Sequence, residues 1–211
     1  MSVKKLLDLS GRTAIVTGGS RGLGLQIAEA LGEMGARIAI TARKQNELDQ
    51  AVAHLGKLGV DASAFVTDLG KREQIPALVD AVLDKFKKID ILVNNAGAVW
   101  VAPAEDHPIE AWDKLVNLNL TGTFILSQQV AKRSMIPARW GRIINVASVA
   151  GLMGSDPRVV KTVSYNATKH GVVGLTRQLA AEWGEHGVLV NAICPGFFPS
   201  KPTVAWGTKR T

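Results

Sequence analysis

Tyr165 and Lys169 stand four residues apart in Val163–Trp183, a stretch that reads as a long helix, so their side chains share one helix face. An ammonium beside a phenol favours the phenolate and lowers the phenol's pKa. A tyrosine so placed can serve as general acid or base toward an alcohol or carbonyl oxygen. Tyr165 is the only tyrosine in the chain, and it opens the helix instead of lying in its apolar stripe. On spacing alone the pair also fits an exposed helix pair with no chemistry. A second candidate is Thr13–Leu31, where Gly18, Gly19, Gly22 and Gly24 separate an apolar run from a helix-spaced one. Glycines let the backbone approach a pyrophosphate, and the free N–H groups at a helix start attract negative charge. Glycines alone would also suit an ordinary tight turn; the strand before and the helix after are the context that a phosphate loop requires.

Strands and helices alternate along the whole chain to position these residues. Apolar runs at Thr13–Val16, Arg37–Ala42, Ala62–Thr67, Asp90–Asn94, Arg142–Ala147 and Val188–Ile193 read as six strands. Between them, helical periodicity covers Leu25–Leu31, Glu47–Leu58 with Asn46 as its cap, Glu73–Lys87, Ile109–Met135 and Val163–Trp183. Near-continuous apolar strands alternating with helices predict an α/β fold. The architecture is a doubly wound, Rossmann-like parallel sheet with helices on both faces and a ligand at the carboxyl ends of its strands. Those ends carry Thr17-Gly18, Arg43, Asp68, Asn94-Asn95-Ala96-Gly97, Ser148 and Pro195-Gly196. Each is an unremarkable loop residue alone; their joint placement is the signal.

With 211 residues, 46% of them apolar, the chain is expected to form a single domain over residues 1–211. The single Cys194 excludes an internal disulfide framework and fits a reducing compartment. No apolar run reaches membrane-spanning length, and the apolar fragment near the N-terminus is too short for a signal peptide. These features point to a cytoplasmic protein with no membrane partner. The net charge of +7 is dispersed, with no basic run and no interleaved aromatics, which argues against nucleic acid. His54, His107, His170 and His186 show no metal-ligand spacing, so no metal site is expected. Cys194 reads as packing, and Trp100, after the Asn95-Ala96-Gly97 turn, as a candidate border of the substrate.

From about Leu9 to Ser200 the sequence resembles the short-chain dehydrogenase/reductase family. The motifs are Thr17-Gly18-Gly19-Ser20-Arg21-Gly22-Leu23-Gly24, Asp68-Leu69, Asn94-Asn95-Ala96-Gly97, Asn119 before Leu120-Thr121-Gly122, Ser148, Tyr165-x-x-x-Lys169 and Pro195-Gly196. The resemblance implies an oxidoreductase that interconverts a carbonyl and a secondary alcohol. Tyr165 would exchange a proton with the substrate oxygen, and Ser148 would hydrogen-bond it. Lys169 would bind the nicotinamide ribose and lower the Tyr165 pKa, and Asn119 would hold the water chain leading to Lys169. Cofactor contacts are expected at Gly18, Ser20, Arg21, Gly22, Leu23, Gly24, Arg43, Asp68, Leu69, Asn95, Ala96, Gly97, Tyr165, Lys169, Pro195, Gly196, Phe198 and Ser200. The second strand ends in Thr41-Ala42-Arg43-Lys44 with no carboxylate, while Arg21 and Arg43 suit a 2′-phosphate, so NADP(H) is expected over NAD(H).

A 3-oxoacyl thioester is the first expectation for the substrate and a sugar acid of the gluconate type the second. A catalytically silent dinucleotide-binding protein is the alternative from another class. The interval between Ser148 and Tyr165 is longer than is common in the family, and a loop excursion near Ser155–Lys161 is expected at the substrate mouth. The chain stops at Thr211 where the family continues, so a C-terminally shortened sheet with an irregular tail over 201–211 is expected. A homodimer through helices 109–135 and 163–183 is the assembly that remains, and it would also account for the apolar Val172 and Val173.

Overall fold

The computed structural model describes residues 3–196 and Phe198. Six strands form one parallel sheet in the order β3-β2-β1-β4-β5-β6. They are β1 (Thr13–Thr17), β2 (Arg37–Ala42), β3 (Ala62–Val66), β4 (Ile91–Asn94), β5 (Gly141–Val146) and β6 (Val188–Ile193). The order reverses between β1 and β4, which opens a crevice at their carboxyl ends. Each strand residue faces the layer opposite to its neighbour's. Ile15, Ala39, Leu92 and Ile143 belong to one core layer, while Ala14, Val16, Ile38, Ile40, Ile91 and Val93 belong to the other. Both faces are therefore apolar, as near-continuous hydrophobic strands require.

Helices α2 (Gly22–Glu33) and α3 (Gln45–Lys57) cover the second layer. Helices α4 (Ile75–Phe86), α6 (Thr123–Val130) and α8 (Val163–Trp183) cover the first. The short α1 (Val3–Leu6) precedes the sheet. Asn46 is not a cap: α3 starts at Gln45, with Lys44 in the cap position and no side-chain capping bond.

The expected helix over 109–135 is one helical run from Ile109 to Ala138 with two widened turns. Regular helix at α5 (Ile109–Leu115), α6 and α7 (Ile136–Ala138) alternates with π-helical turns at Val116–Gly122 and Ala131–Met135. Apolar spacing does not encode this change of pitch. Hydroxyls that bond carbonyls one turn back accompany the first widened turn: Thr123 Oγ1 donates to Asn119 O at 2.9 Å and Ser127 Oγ to Thr123 O at 2.7 Å. Such turns often mark functional segments, and Asn119 lies in this one.

Val172 and Val173 are buried within the chain against Ala147 and Leu120, so they need no second subunit to cover them. Among the described residues no helix is long and apolar enough to cross a membrane. The tail over 201–211 lies outside the described residues.

Candidate active site

The turn after β1 closes on its neighbours. Gly18 N and Gly19 N donate to Thr41 O at 2.8 and 3.3 Å, and this ties the turn to the end of β2. Gly18 takes φ +63°, which L side chains rarely adopt. A Cβ on Gly24 would stand 2.3 Å from Gly18 O and 2.5 Å from Asn95 Nδ2, so only glycine lets α2 start this close to the turn. Asn95 Nδ2 donates to Thr17 O at 2.9 Å and to Gly18 O at 3.3 Å, while Asn95 N and Ala96 N both donate to Thr17 Oγ1 at 2.9 Å. Asn95 and Ala96 thus brace the glycine cradle from the neighbouring strand end.

Beside this cradle lies a cavity of about 520 Å³. Leu23, Asn95, Gly97, Ser148, Tyr165, Lys169, Pro195, Gly196 and Phe198 all line it. They follow β1, β4, β5 and β6 or lie in the first two turns of α8, so four of the six strand ends converge here, while Arg43 and Asp68 at the ends of β2 and β3 do not line the cavity. Ser148 follows β5 and caps a single turn at Val149–Gly151, with Ala150 N donating to its Oγ at 3.2 Å. Tyr165 is half-buried. Burial pushes its phenol above the ordinary value, and a hydrogen bond with the Ser148 side chain pulls it part of the way back. The direction is opposite to the expected lowering, because desolvation outweighs the Ser148 hydrogen bond. The Lys169 Nζ stands 5.6 Å from the centre of the Tyr165 ring and donates to Val146 O at 2.6 Å. Lys169 is 5% exposed, and burial lowers it from 10.5 to about 8, with the interaction with Cys194 pulling the other way.

Asn119 stands next to these groups without lining the cavity. Its Oδ1 accepts from Ala98 N and its Nδ2 donates to Ala98 O, both at 2.9 Å, and Nδ2 also reaches Thr168 Oγ1 at 3.1 Å. A Cβ on Gly97 would be 3.3 Å from Asn119 Oδ1 and 3.7 Å from Lys169 Nζ, which measures how tightly the three converge.

Several expected cofactor residues make local contacts of their own. Asp68 Oδ1 accepts from Gly70 N at 3.0 Å and Asp68 N donates to Gln74 Oε1 at 2.9 Å, closing the turn after β3. The Leu69 side chain is buried in the core. Arg21 and Arg43 are exposed beside the ends of β1 and β2, with Ser20 and Gly22 flanking Arg21 in the turn. Ser200 lies outside the described residues. Trp100 is half-exposed and is not part of the cavity wall.

Other wall residues carried no motif. Val149, Met153, Val159 and Val160 form an apolar side, with Ser155 and Asp156 at its edge. The only sequence signal for them was the lengthened interval before Tyr165, which the structure puts at the cavity. Ser155 and Thr162 are fixed by Asn166 Oδ1 at 3.3 and 2.8 Å, and Asp156 pairs with Arg158 at 2.7 Å. That pair holds the Asp156 carboxyl below its ordinary range. Among the described residues no group of three or more His, Cys, Asp or Glu side chains is placed to hold a metal.

A glycine cradle at the reversal point of a parallel sheet, opening into a cavity with a buried lysine and a phenol, is the layout of a dinucleotide-dependent oxidoreductase. A family model described as short chain dehydrogenase matches residues 12–210, and the chain belongs to the short-chain dehydrogenase/reductase family. D-threitol dehydrogenase of Mycolicibacterium smegmatis is 42% identical over 195 residues, covering 92% of this chain and 73% of that protein. A 3-oxoacyl-[acyl-carrier-protein] reductase of Synechocystis is 37% identical over 196 residues, 92% of this chain and 77% of the relative. The structure of a gluconate 5-dehydrogenase from Burkholderia cenocepacia in complex with NADP and tartrate superposes with a TM-score of 0.90 at 33% identity, covering 97% of this chain and 78% of that one. An NAD+-bound xylitol dehydrogenase superposes at 0.87 with 33% identity, covering 95% and 75%. Members of this family bind nicotinamide dinucleotides, and the turn after β1 fits such a group: Gly18 and Gly22 take positive φ, and a Cβ on Gly22 would meet nothing within 4 Å, so the backbone there is open to a ligand.

Proposed function

We propose that the chain is an NADP(H)-dependent reductase of a neutral, partly apolar carbonyl compound, with a 3-oxoacyl thioester as the best fit. The observation that carries this reading is the cavity wall. Around Ser148 and Tyr165 it is mainly aliphatic, and among its described residues Lys169 is the only cation. A sugar acid would bring a carboxylate past Asp156 with no arginine or histidine among those residues to receive it.

The residues divide the work. A phenol held above its ordinary pKa is protonated at neutral pH, the state needed to donate a proton to a carbonyl oxygen. Ser148, hydrogen-bonded to Tyr165, is placed to hold that oxygen as charge develops on it. Lys169 lies behind Tyr165 and would engage the ribose and stabilise the phenolate left after transfer. Asn119 locks the loop at Ala98 to Thr168 on α8 and so keeps the path from solvent to Lys169 in place. Bound nicotinamide supplies the hydride. Leu23 at the start of α2 and Gly97, Pro195, Gly196 and Phe198 in the wall would fix its orientation. Arg21 and Arg43 support the choice of NADP(H), each a guanidinium suited to a 2′-phosphate. Ile109 and Phe124, exposed on helices α5 and α6, support a homodimer through the long helices.

The test is NADPH oxidation with an acetoacetyl thioester and with 5-ketogluconate, at matched concentrations. The thioester should be the better substrate by at least about tenfold in kcat/KM, a difference of about 1.4 kcal/mol. Reduction of the sugar acid alone would overturn the substrate reading. Tight NADPH binding with no turnover of either would favour the silent dinucleotide-binding alternative.

A further inference from the structure

The carboxyl ends of β1 and β2 bear Arg21, Arg43 and Lys44, and one carboxylate stands among them. Glu47 Oε1 accepts from Arg21 Nη1 at 3.0 Å and from Lys44 Nζ at 3.2 Å. The three side chains come from two elements. Arg21 is the cap residue of α2, has extended backbone, and its guanidinium crosses to α3. Lys44 holds the cap position of α3, and Glu47 lies in that helix's first turn, where the helix dipole favours a carboxylate. Glu47 is also the least exposed of the three, at 24% against 59% and 65% for Arg21 and Lys44.

We infer that Glu47 is a cofactor-selectivity residue: its carboxylate occupies the guanidinium and ammonium that a 2′-phosphate would recruit, so the phosphate must displace it. This rests on the reading that a nicotinamide dinucleotide binds with its adenosine ribose at the end of β2. Exposed ion pairs add little to folding, so the cluster is poorly explained as a stability device. A phosphate monoester carries nearly two negative charges at neutral pH and three acceptor oxygens. It would compete directly with a carboxylate for the Arg21 fork, and Glu47 would repel it at close range. A 2′-hydroxyl makes neither demand. Glu47 therefore penalises NADP(H) and leaves NAD(H) untouched, which narrows the preference set by the three cations.

The test titrates the full chain and Glu47→Gln with NADPH and with NADH, following binding by calorimetry at low and physiological salt. Glu47→Gln should tighten NADPH about fivefold, an effect the size of one exposed ion pair. NADH affinity should stay within about twofold. The gain should shrink when Arg21→Ala is combined with it, since the competed guanidinium is then gone. Glu47→Ala should move in the same direction, and thermal unfolding of each variant without nucleotide reports its fold. Weaker or unchanged NADPH binding would make Glu47 a strut for Arg21 and overturn the inference. So would equal tightening of both nucleotides. The underlying cofactor reading fails separately: if the parent bound NADH as tightly as NADPH, its NADP(H) preference would fall, while a shift of the ratio in Glu47→Gln would still support the role of Glu47.

Discussion

Replacing Lys169 with methionine removes a buried charge while keeping most of the side-chain length. In the parent, Lys169 is 5% exposed and burial lowers its pKa from 10.5 to about 8. Below about pH 8 the folded and unfolded chains both carry this proton, and the folded chain bears the whole cost of a buried ammonium. As pH rises from about 8 to 10.5 the unfolded chain holds more protons, so folding stability increases with pH. Above that range both are neutral and the penalty is gone. At about 1.4 kcal/mol for each factor of ten in acidity, most of the difference is recovered by pH 10, on the order of 2–3 kcal/mol relative to pH 7. Lys169→Met also loses the bond to Val146 O, but that loss does not follow this titration. Tyr165, held above its ordinary value, titrates mainly beyond the window. Urea unfolding of parent and variant at intervals from pH 7 to pH 10, with equal denaturant slopes as the control, isolates the difference. The parent should gain on the order of 2–3 kcal/mol on the variant across the series. Curves that stay parallel, or a parent that loses ground, would refute the claim that Lys169 is desolvated in the folded protein.

Gly24→Ala puts a Cβ 2.3 Å from Gly18 O, so the turn must move away from α2. NADPH affinity should fall by at least about tenfold and the melting temperature should drop, because the clash involves backbone on both sides. Parent-like titration and melting curves would mean that the cradle tolerates the shift. Light scattering at micromolar concentration should return the mass of two chains; a strict monomer would remove the helix-pairing argument, which now rests on Ile109 and Phe124 and not on Val172 and Val173.

The sheet was legible because each strand is apolar on both faces and each helix periodic on one; the bounds of Arg37–Ala42, Val163–Trp183 and Val188–Ile193 agree between sequence and structure. Tyr165 and Lys169 were legible through the whole set of motifs shared with the family, since their spacing alone also fits a helix pair with no chemistry. Properties of the environment were not. The direction of the Tyr165 shift depends on how much water the surrounding fold removes, and a residue spacing carries no measure of that. The braces formed by Asn95 and Asp68 likewise need partners that sequence does not show to be adjacent: Thr17 for one, Gly70 and Gln74 for the other. The pitch change around Asn119 comes with hydroxyl bonds of Thr123 and Ser127 that leave the apolar stripe intact. Glu47 went unnoticed because its partner Arg21 is 26 positions away and no motif joins them.

The central claim is that Tyr165 delivers the proton in a carbonyl reduction. Tyr165→Phe deletes one hydroxyl and little volume, so it separates chemistry from binding. Steady-state NADPH oxidation on a substrate that the parent reduces, set beside an NADPH titration of the same preparation, measures both. The account predicts NADPH affinity within about twofold of the parent and a fall in kcat of about 10²–10⁴, the range typical of a lost general acid. Turnover close to that of the parent, with the cofactor still bound, would contradict it.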